Sequence, residues 1–402
     1  MSIYLDHAAT TPMRPEALEA LVAAHARVGN PASIHGPGQA ARAVLEEARE
    51  RVAGTVGADP IEVVFTSGGT ESINLALKGL YWQRNTGAAR PVILVPDGEH
   101  HATIDTAEWL ATHERATIVA IPLDATGRIR TDAFAAALAE YGDAVACATA
   151  IWANNEVGTI QPVAELSRLA TEAGVPLHLD AVAAYGHADI DLHALRTESR
   201  SGGNAGPVAI SVSAHKIGGP IGIGALVLAR SAAIEPLLHG GGQQRQVRSG
   251  TQDVPAAVAF AAAATVSEAT RAEEHARLIT LRDRLISGIL AANPAATLSG
   301  LAGEERLDNN VHVAFPGAQG DSLLFLLDMA GLAVSTGSAC QAGIPEPSHV
   351  LLAMGRDEDA ARSVLRFTLG HTSTEAEVDA CIAALPAAYA SAARAGLSSR
   401  SV

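Results

Sequence analysis

The chain has only three cysteines in 402 residues, and only 3% of its residues are aromatic. Cys147, Cys340 and Cys381 are odd in number and far apart, which excludes a disulfide framework and fits a reducing compartment. No Cys-x-x-Cys pair is present, so zinc sites of that spacing are excluded. Positive charge is scarce too: 28 Lys and Arg stand against 43 Asp and Glu, a net charge of -15, which argues against direct nucleic-acid binding. The N-terminal run lacks the basic and apolar regions of a signal peptide, and no stretch approaches the roughly 18 unbroken apolar residues of a membrane span. A cytoplasmic protein with no membrane partner is expected. With so few aromatics, Ala, Leu and Val must fill the core.

What is present alternates. Apolar runs at 61–65, 91–95, 116–121, 144–149, 176–179, 208–212 and 224–228 read as strands, most of them covered on both faces, with helical stretches such as 38–56 between them. This predicts an α/β fold with a mostly parallel seven-stranded sheet. A long helical region over 255–292 leads to a smaller α+β unit with strands at 310–315 and 364–368. Thr372 to Glu375 matches a capping box opening the last helix, whose buried face would include Cys381; Cys147 falls in an apolar strand, so both thiols are expected in the core. The polar, glycine-rich stretch 198–207 reads as a mobile surface loop.

Cys340 is different. It follows Ser335-Thr-Gly-Ser-Ala and precedes Gln-Ala-Gly343, a setting of small residues that suits a nucleophile carried on a tether. Ser67 to Ser72 places two glycines between a strand and a helix, a junction that can hold a phosphate. Lys216 ends an apolar strand and is preceded by Ser213 and His215; small apolar neighbours would desolvate its amine and favour a Schiff base with an aldehyde. Asp180, at another strand's end, could face a pyridinium nitrogen. Phosphate turn, lysine and carboxylate together point to pyridoxal 5'-phosphate (PLP).

With Tyr4 to Pro12, Gly29 to Ser33, Glu99-His100, Asn154 to Gly158, His239 to Gln243 and Arg248 to Thr251 occurring in order around these groups, the chain resembles the cysteine desulfurases of the NifS/IscS type, in the class V aminotransferase family. The six residues between Cys340 and Pro347 resemble the long catalytic loop of that family's first group. The resemblance implies a PLP-dependent transferase fold of the aspartate aminotransferase kind. A large domain would span 15–266, and a small domain, formed by 1–14 and 267–402, would carry the Cys340 loop. It implies that Lys216 carries the cofactor, Asp180 faces the ring nitrogen, and His100 stacks on the ring and moves protons. Gly69, Thr70, Ser213 and His215 would hold the phosphate, with Thr251 reaching across a homodimer interface. Asn155 would lie beside the cofactor, and Arg366 would bind the substrate carboxylate. The implied reaction converts L-cysteine to L-alanine with a persulfide on Cys340, passed to an iron–sulfur scaffold or another acceptor for cluster assembly or thiolation. No intrinsic metal is implied, though Cys340 could transiently share a cluster with a scaffold. The chain departs from the family at Ala183, where a glutamine usually bonds the cofactor's phenolic oxygen, at Gln244, where glutamate is common, and in the length of the 198–207 stretch.

Overall fold

The computed structural model describes residues 2–200, 202–337 and 346–399. Cys340, together with the rest of 338–345, lies outside them. Among the described residues twelve strands occur in chain order: β1 (Ile3–Tyr4), β2 (Val63–Thr66), β3 (Val92–Pro96), β4 (Thr117–Ile121), β5 (Val145–Ile151), β6 (Pro176–Asp180), β7 (Gly206–Ser213), β8 (Gly224–Leu228), β9 (Thr297–Leu298), β10 (Asn310–Ala314), β11 (Leu332–Ala333) and β12 (Val364–Thr368). The α-helices are α1 (Pro15–His25), α2 (Gly36–Gly54), α3 (Gly69–Arg84), α4 (His101–Glu114), α5 (Thr131–Tyr141), α6 (Val163–Glu172), α7 (Leu192–Glu198), α8 (Val254–Ala292), α9 (Gly320–Met329), α10 (His349–Ala353), α11 (Glu358–Arg362) and α12 (Glu375–Ser399).

Strands β2 to β8 form one sheet in the order β2-β8-β7-β6-β5-β3-β4. Only β8 runs against its neighbours β7 and β2; every other pairing is parallel. The seven apolar runs therefore became these seven strands, and β3, β5, β6, β7 and β8 are buried at every position. The parallel strands β3, β5, β6 and β7 all end at one edge; Asp180 is the last residue of β6, and the segments that follow β3, β5 and β7 carry Glu99, Asn154 and Lys216. A second, antiparallel sheet β12-β10-β9 backs a separate core of Leu281, Leu285, Val313, Phe315 and Phe367, which Leu5 of the N-terminal segment joins.

Helix α8 threads both cores. Its first half buries Ala257, Phe260, Ala261 and Ala264 against the large core, its second half Leu278, Leu281, Leu285 and Ile289 against the small one. The alanines explain how a chain with few aromatics packs: α1 and α2 lie directly on that half of the helix, and small side chains let the axes approach closely. Cys147 and Cys381 are both fully buried free thiols.

Two local expectations shift. The capping box that opens α12 is Thr374 with Glu377, two residues beyond the expected Thr372 and Glu375: Thr374 N–H donates to Glu377 Oε2 at 2.8 Å, and Glu377 N–H to Thr374 Oγ1 at 3.3 Å. The reason is that Ser373 closes a tight turn with Gly370, bonded both ways at 3.0 Å, before the helix can start. The 198–207 stretch is shorter as a loop than its composition suggests. Ser199 is buried and bonds back to Leu195 O, while Gly206 and Pro207 are already part of buried β7.

Candidate active site

A cavity of about 570 Å³ opens at the carboxyl ends of the parallel strands and is closed on its far side by the small sheet. Gly69, Thr70, His100, Asn155, Asp180, Ser213, His215, Lys216 and Arg366 all line it, and so does Ala183. Residues brought together from across the chain thus form one site. Thr251 does not join them; it is exposed at the end of the segment that follows Arg248.

The phosphate side is built from glycine. Gly68 is the N-cap of α3 with φ of +154°, offers no side-chain cap, and leaves the first-turn N–H groups open. Close approach demands glycine here as well: a Cβ on Gly69 would stand 2.7 Å from Val182 Cγ2, and one on Gly224 would stand 2.8 Å from Gly68 Cα. Facing this turn, the Ser213 hydroxyl is buried and has no protein partner. An unpaired buried hydroxyl costs stability, and beside an open helix N-terminus it matches what a phosphate oxygen requires. His215 Nδ1 lies 3.2 Å from Thr10 Oγ1, and burial lowers this imidazole's pKa to about 4, so it is neutral.

Lys216 lines the cavity. Lys216 Nζ donates to Ala8 O, and to Ala9 O at 3.1 Å, so the N-terminal segment holds the amine. Burial, and then the Arg366 charge, lower its pKa to about 8, which leaves an appreciable fraction unprotonated near neutrality. Asp180 Oδ1 accepts from Val182 N–H at 3.0 Å, while burial raises the carboxyl to about 6. His100 caps α4, with Nδ1 accepting from Ala102 N–H at 3.0 Å. That bond assigns the ring proton to Nε2. Burial, with Lys216 next, lowers this histidine to about 4.

Arg366, on β12, is buried and tethered: Nη1 donates to Asn155 O at 2.9 Å and Nη2 to Asp6 Oδ1 at 3.0 Å. Its position next to Ser335, in a two-way backbone pair at 2.7 and 3.1 Å, places the flank of the Cys340 segment at the cavity wall. The other flank is anchored by Ser348, whose hydroxyl donates to Glu156 Oε2.

A model of aminotransferase class V matches residues 3–381. The chain belongs to the class V aminotransferase family. Within it, the chain is 49% identical to an IscS-like cysteine desulfurase of Mycobacterium tuberculosis, over 98% of both chains. It is 38% identical to the cysteine desulfurase IscS of Methanosarcina thermophila, over 96% of this chain and 91% of that one. Among solved structures, a NifS-like protein superposes with a TM-score of 0.86 at 33% identity, covering 96% of this chain and 99% of the other. A structure titled SspA in complex with cysteine matches with a TM-score of 0.76 at 29% identity, over 93% and 100%. The class V fold accounts for the seven-stranded sheet with a lysine at a strand's end.

Several groups in or next to the cavity had no sequence signal of their own. Asp6, the partner of Arg366, appeared only as part of the Tyr4 to Pro12 motif. Glu99 was visible only as the neighbour of His100, yet it is fully buried: Oε1 accepts from Ile151 N–H at 2.6 Å, Oε2 has no partner, and burial with nearby Asp180 raises it to about 8. His187 lines the cavity and its Nδ1 lies 2.7 Å from Asp308 Oδ1, whose second oxygen is 3.0 Å from His275 Nδ1 on α8. Gln244 proves structural. Its amide pairs with the N–H and C=O of Phe65, both at 2.7 Å, as a further strand residue would, and this is possible for an amide and not for a carboxylate.

Proposed function

We propose that this chain is a PLP-dependent cysteine desulfurase that takes L-cysteine to L-alanine and leaves the sulfur as a persulfide on Cys340. The observation that carries the reading is one cavity holding a desolvated lysine, a buried carboxylate, an open glycine helix terminus with an unpaired serine hydroxyl, and a buried arginine on the opposite wall.

These groups fit PLP. The α3 terminus with Gly69, Thr70, Ser213 and His215 would hold the phosphate, Lys216 the aldehyde carbon, and Asp180 the ring nitrogen, with His100 and Asn155 beside the ring. When bound, PLP supplies an electron sink for the bonds at the substrate α-carbon. The Lys216 amine, with a pKa near 8, can be neutral and take up a proton released from that carbon. His100 carries a proton at Nε2 and can give or receive one at the same face. Arg366 receives the substrate carboxylate, which competes with Asp6 for the guanidinium. The Cys340 thiolate attacks the substrate sulfur; the S–S bond forms as the carbon–sulfur bond breaks, and the carbon fragment keeps the electron pair and is protonated to alanine. Ala183 removes one neutral hydrogen bond to the cofactor, worth about 0.5–1.5 kcal/mol, a loss that tunes the site without abolishing it.

Thr251, exposed in this chain, is assigned to a partner's phosphate site across a homodimer interface. The division into domains 15–266 and 1–14 with 267–402 is part of this proposal; the separate cluster of Leu5, Leu281, Val313 and Phe367 supports it, while Leu307, Val350, Leu351 and Val364 pack with the large core. An iron–sulfur scaffold or other cytoplasmic sulfur acceptor would unload Cys340; among the described residues no helix is long and apolar enough to cross a membrane. The deciding experiment is alanine and persulfide analysis after incubation with L-cysteine. Alanine in amounts matching persulfide on Cys340 is expected, and a Cys340→Ser variant that transfers sulfur at the parent's rate would overturn the mechanism.

A further inference from the structure

His312 lies on β10 and is fully buried, yet neither ring nitrogen has a hydrogen-bond partner. It is the register partner of Arg366 on β12. Arg366 already exchanges both backbone bonds with Ser335 on its other side, so its pairing with His312 is the non-hydrogen-bonded kind, in which opposed Cα atoms stand about 4.5 Å apart and side chains come closest. Directly opposed residues project to the same face, and Arg366 lines the cavity, so the imidazole lies on the cavity side beside the arginine stem.

The arginine has a matching gap. Its two Nη atoms are occupied, by Asn155 O and Asp6 Oδ1, but its Nε is buried without a partner. A buried donor and a buried acceptor left unpaired on adjacent residues are an uncommon expense in a folded chain. Gly337 roofs the pair. It holds φ of +89°, and a Cβ there would stand 3.3 Å from His312 Nε2 and 3.6 Å from Arg366 Cβ. Any larger residue would press on the ring. Because Arg306 and Arg366 flank a desolvated imidazole, the ring is neutral and keeps one acceptor nitrogen.

We propose that His312 is a positioning residue for substrate recognition: its ring nitrogen accepts the Arg366 Nε–H when the guanidinium leaves Asp6 to take the substrate carboxylate. Bound substrate thereby replaces the Asp6 contact, and the arginine is held at three edges instead of two. This rests on the reading of Arg366 as the carboxylate's partner.

The test uses the holoenzyme and two probes that differ only in the carboxylate, L-alanine and ethylamine, titrated by the change in cofactor absorbance. His312→Leu should raise KM for L-cysteine and the Kd of L-alanine about ten-fold, as expected for one lost hydrogen bond. Its kcat and ethylamine Kd should stay within about two-fold of the parent's. Its Tm should be equal or higher, because an unpaired polar ring has gone. His312→Asn, which keeps an acceptor, should retain affinity close to the parent's. Parent-like KM and Kd in folded His312→Leu overturn the proposal, as does an equal loss for ethylamine or an equal loss in His312→Asn. Should the leucine variant not fold, His312→Met serves in its place. A parent that released no alanine from L-cysteine would sink the proposed function, whereas the two-probe titration would still read the arginine site.

Discussion

Two histidines lie wholly buried in strands on opposite sides of the cavity, and they are in opposite states. His178, on β6 two residues before Asp180, has Nδ1 2.9 Å from Thr149 Oγ1 and Nε2 2.8 Å from Ser211 Oγ, one hydroxyl from each neighbouring strand. His312 has no partner at either nitrogen. Burial pushes both rings down to about 3, so neither carries charge. The difference lies in what surrounds them. The large sheet satisfies the His178 ring from its own strands beside Asp180, whereas the small sheet leaves the His312 ring and the Arg366 Nε open. On the proposed function, chemistry belongs to the first wall and recognition to the second.

The contrast breaks most sharply at Arg366. Arg366→Met should raise KM for L-cysteine about 100-fold, the scale of a lost charge-assisted contact, while the cofactor absorbance stays; steady-state kinetics beside a spectrum checks both. A spectrum lost along with the affinity would erase the division between the walls. Next comes His178→Leu, which strands two buried hydroxyls and should lower unfolding free energy by about 2–3 kcal/mol in denaturant melts. His312→Leu should show no such loss, and equal destabilisation would make the two histidines alike.

On the first wall itself, the rate at which the cofactor-free chain takes up PLP should follow the free amine of Lys216, rising about ten-fold per pH unit below 8 and levelling above it. Stopped-flow absorbance from pH 6 to 9 measures this, and a flat profile would remove the desolvation argument. The smallest effect lies where the walls meet. His275 is half exposed and its pKa is raised, first by its hydrogen bond to Asp308. A raised folded-state pKa means the contribution is present in full below the unfolded value of about 6.5 and is lost as pH rises through the folded value. His275→Ala should thus cost about 0.5 kcal/mol at pH 6 and less at pH 9, in paired thermal melts.

The sequence exposed the first wall better than the recognition wall, for a physical reason. Runs such as 208–212 are apolar because both faces of the sheet are covered, and Lys216 and Asp180 at the ends of such runs stand out once they are read together with the 67–70 glycine turn. Arg366, Asp6 and His312 meet only through pairing between segments 54 to 360 residues apart, and no local pattern encodes that register. The α12 cap shows the same limit at short range. Thr372 and Thr374 both precede a glutamate by three, and only the turn between Gly370 and Ser373 decides which one starts the helix.

Helix α8 has a mechanical consequence. Its 39 residues make a rod of about 58 Å with one end set in each core, and no proline interrupts it after the first turn. Swinging one wall away from the other would require breaking backbone hydrogen bonds in mid-rod, near His275. An unbroken α8 therefore resists bending between the Lys216 side and the Arg366 side of the cavity.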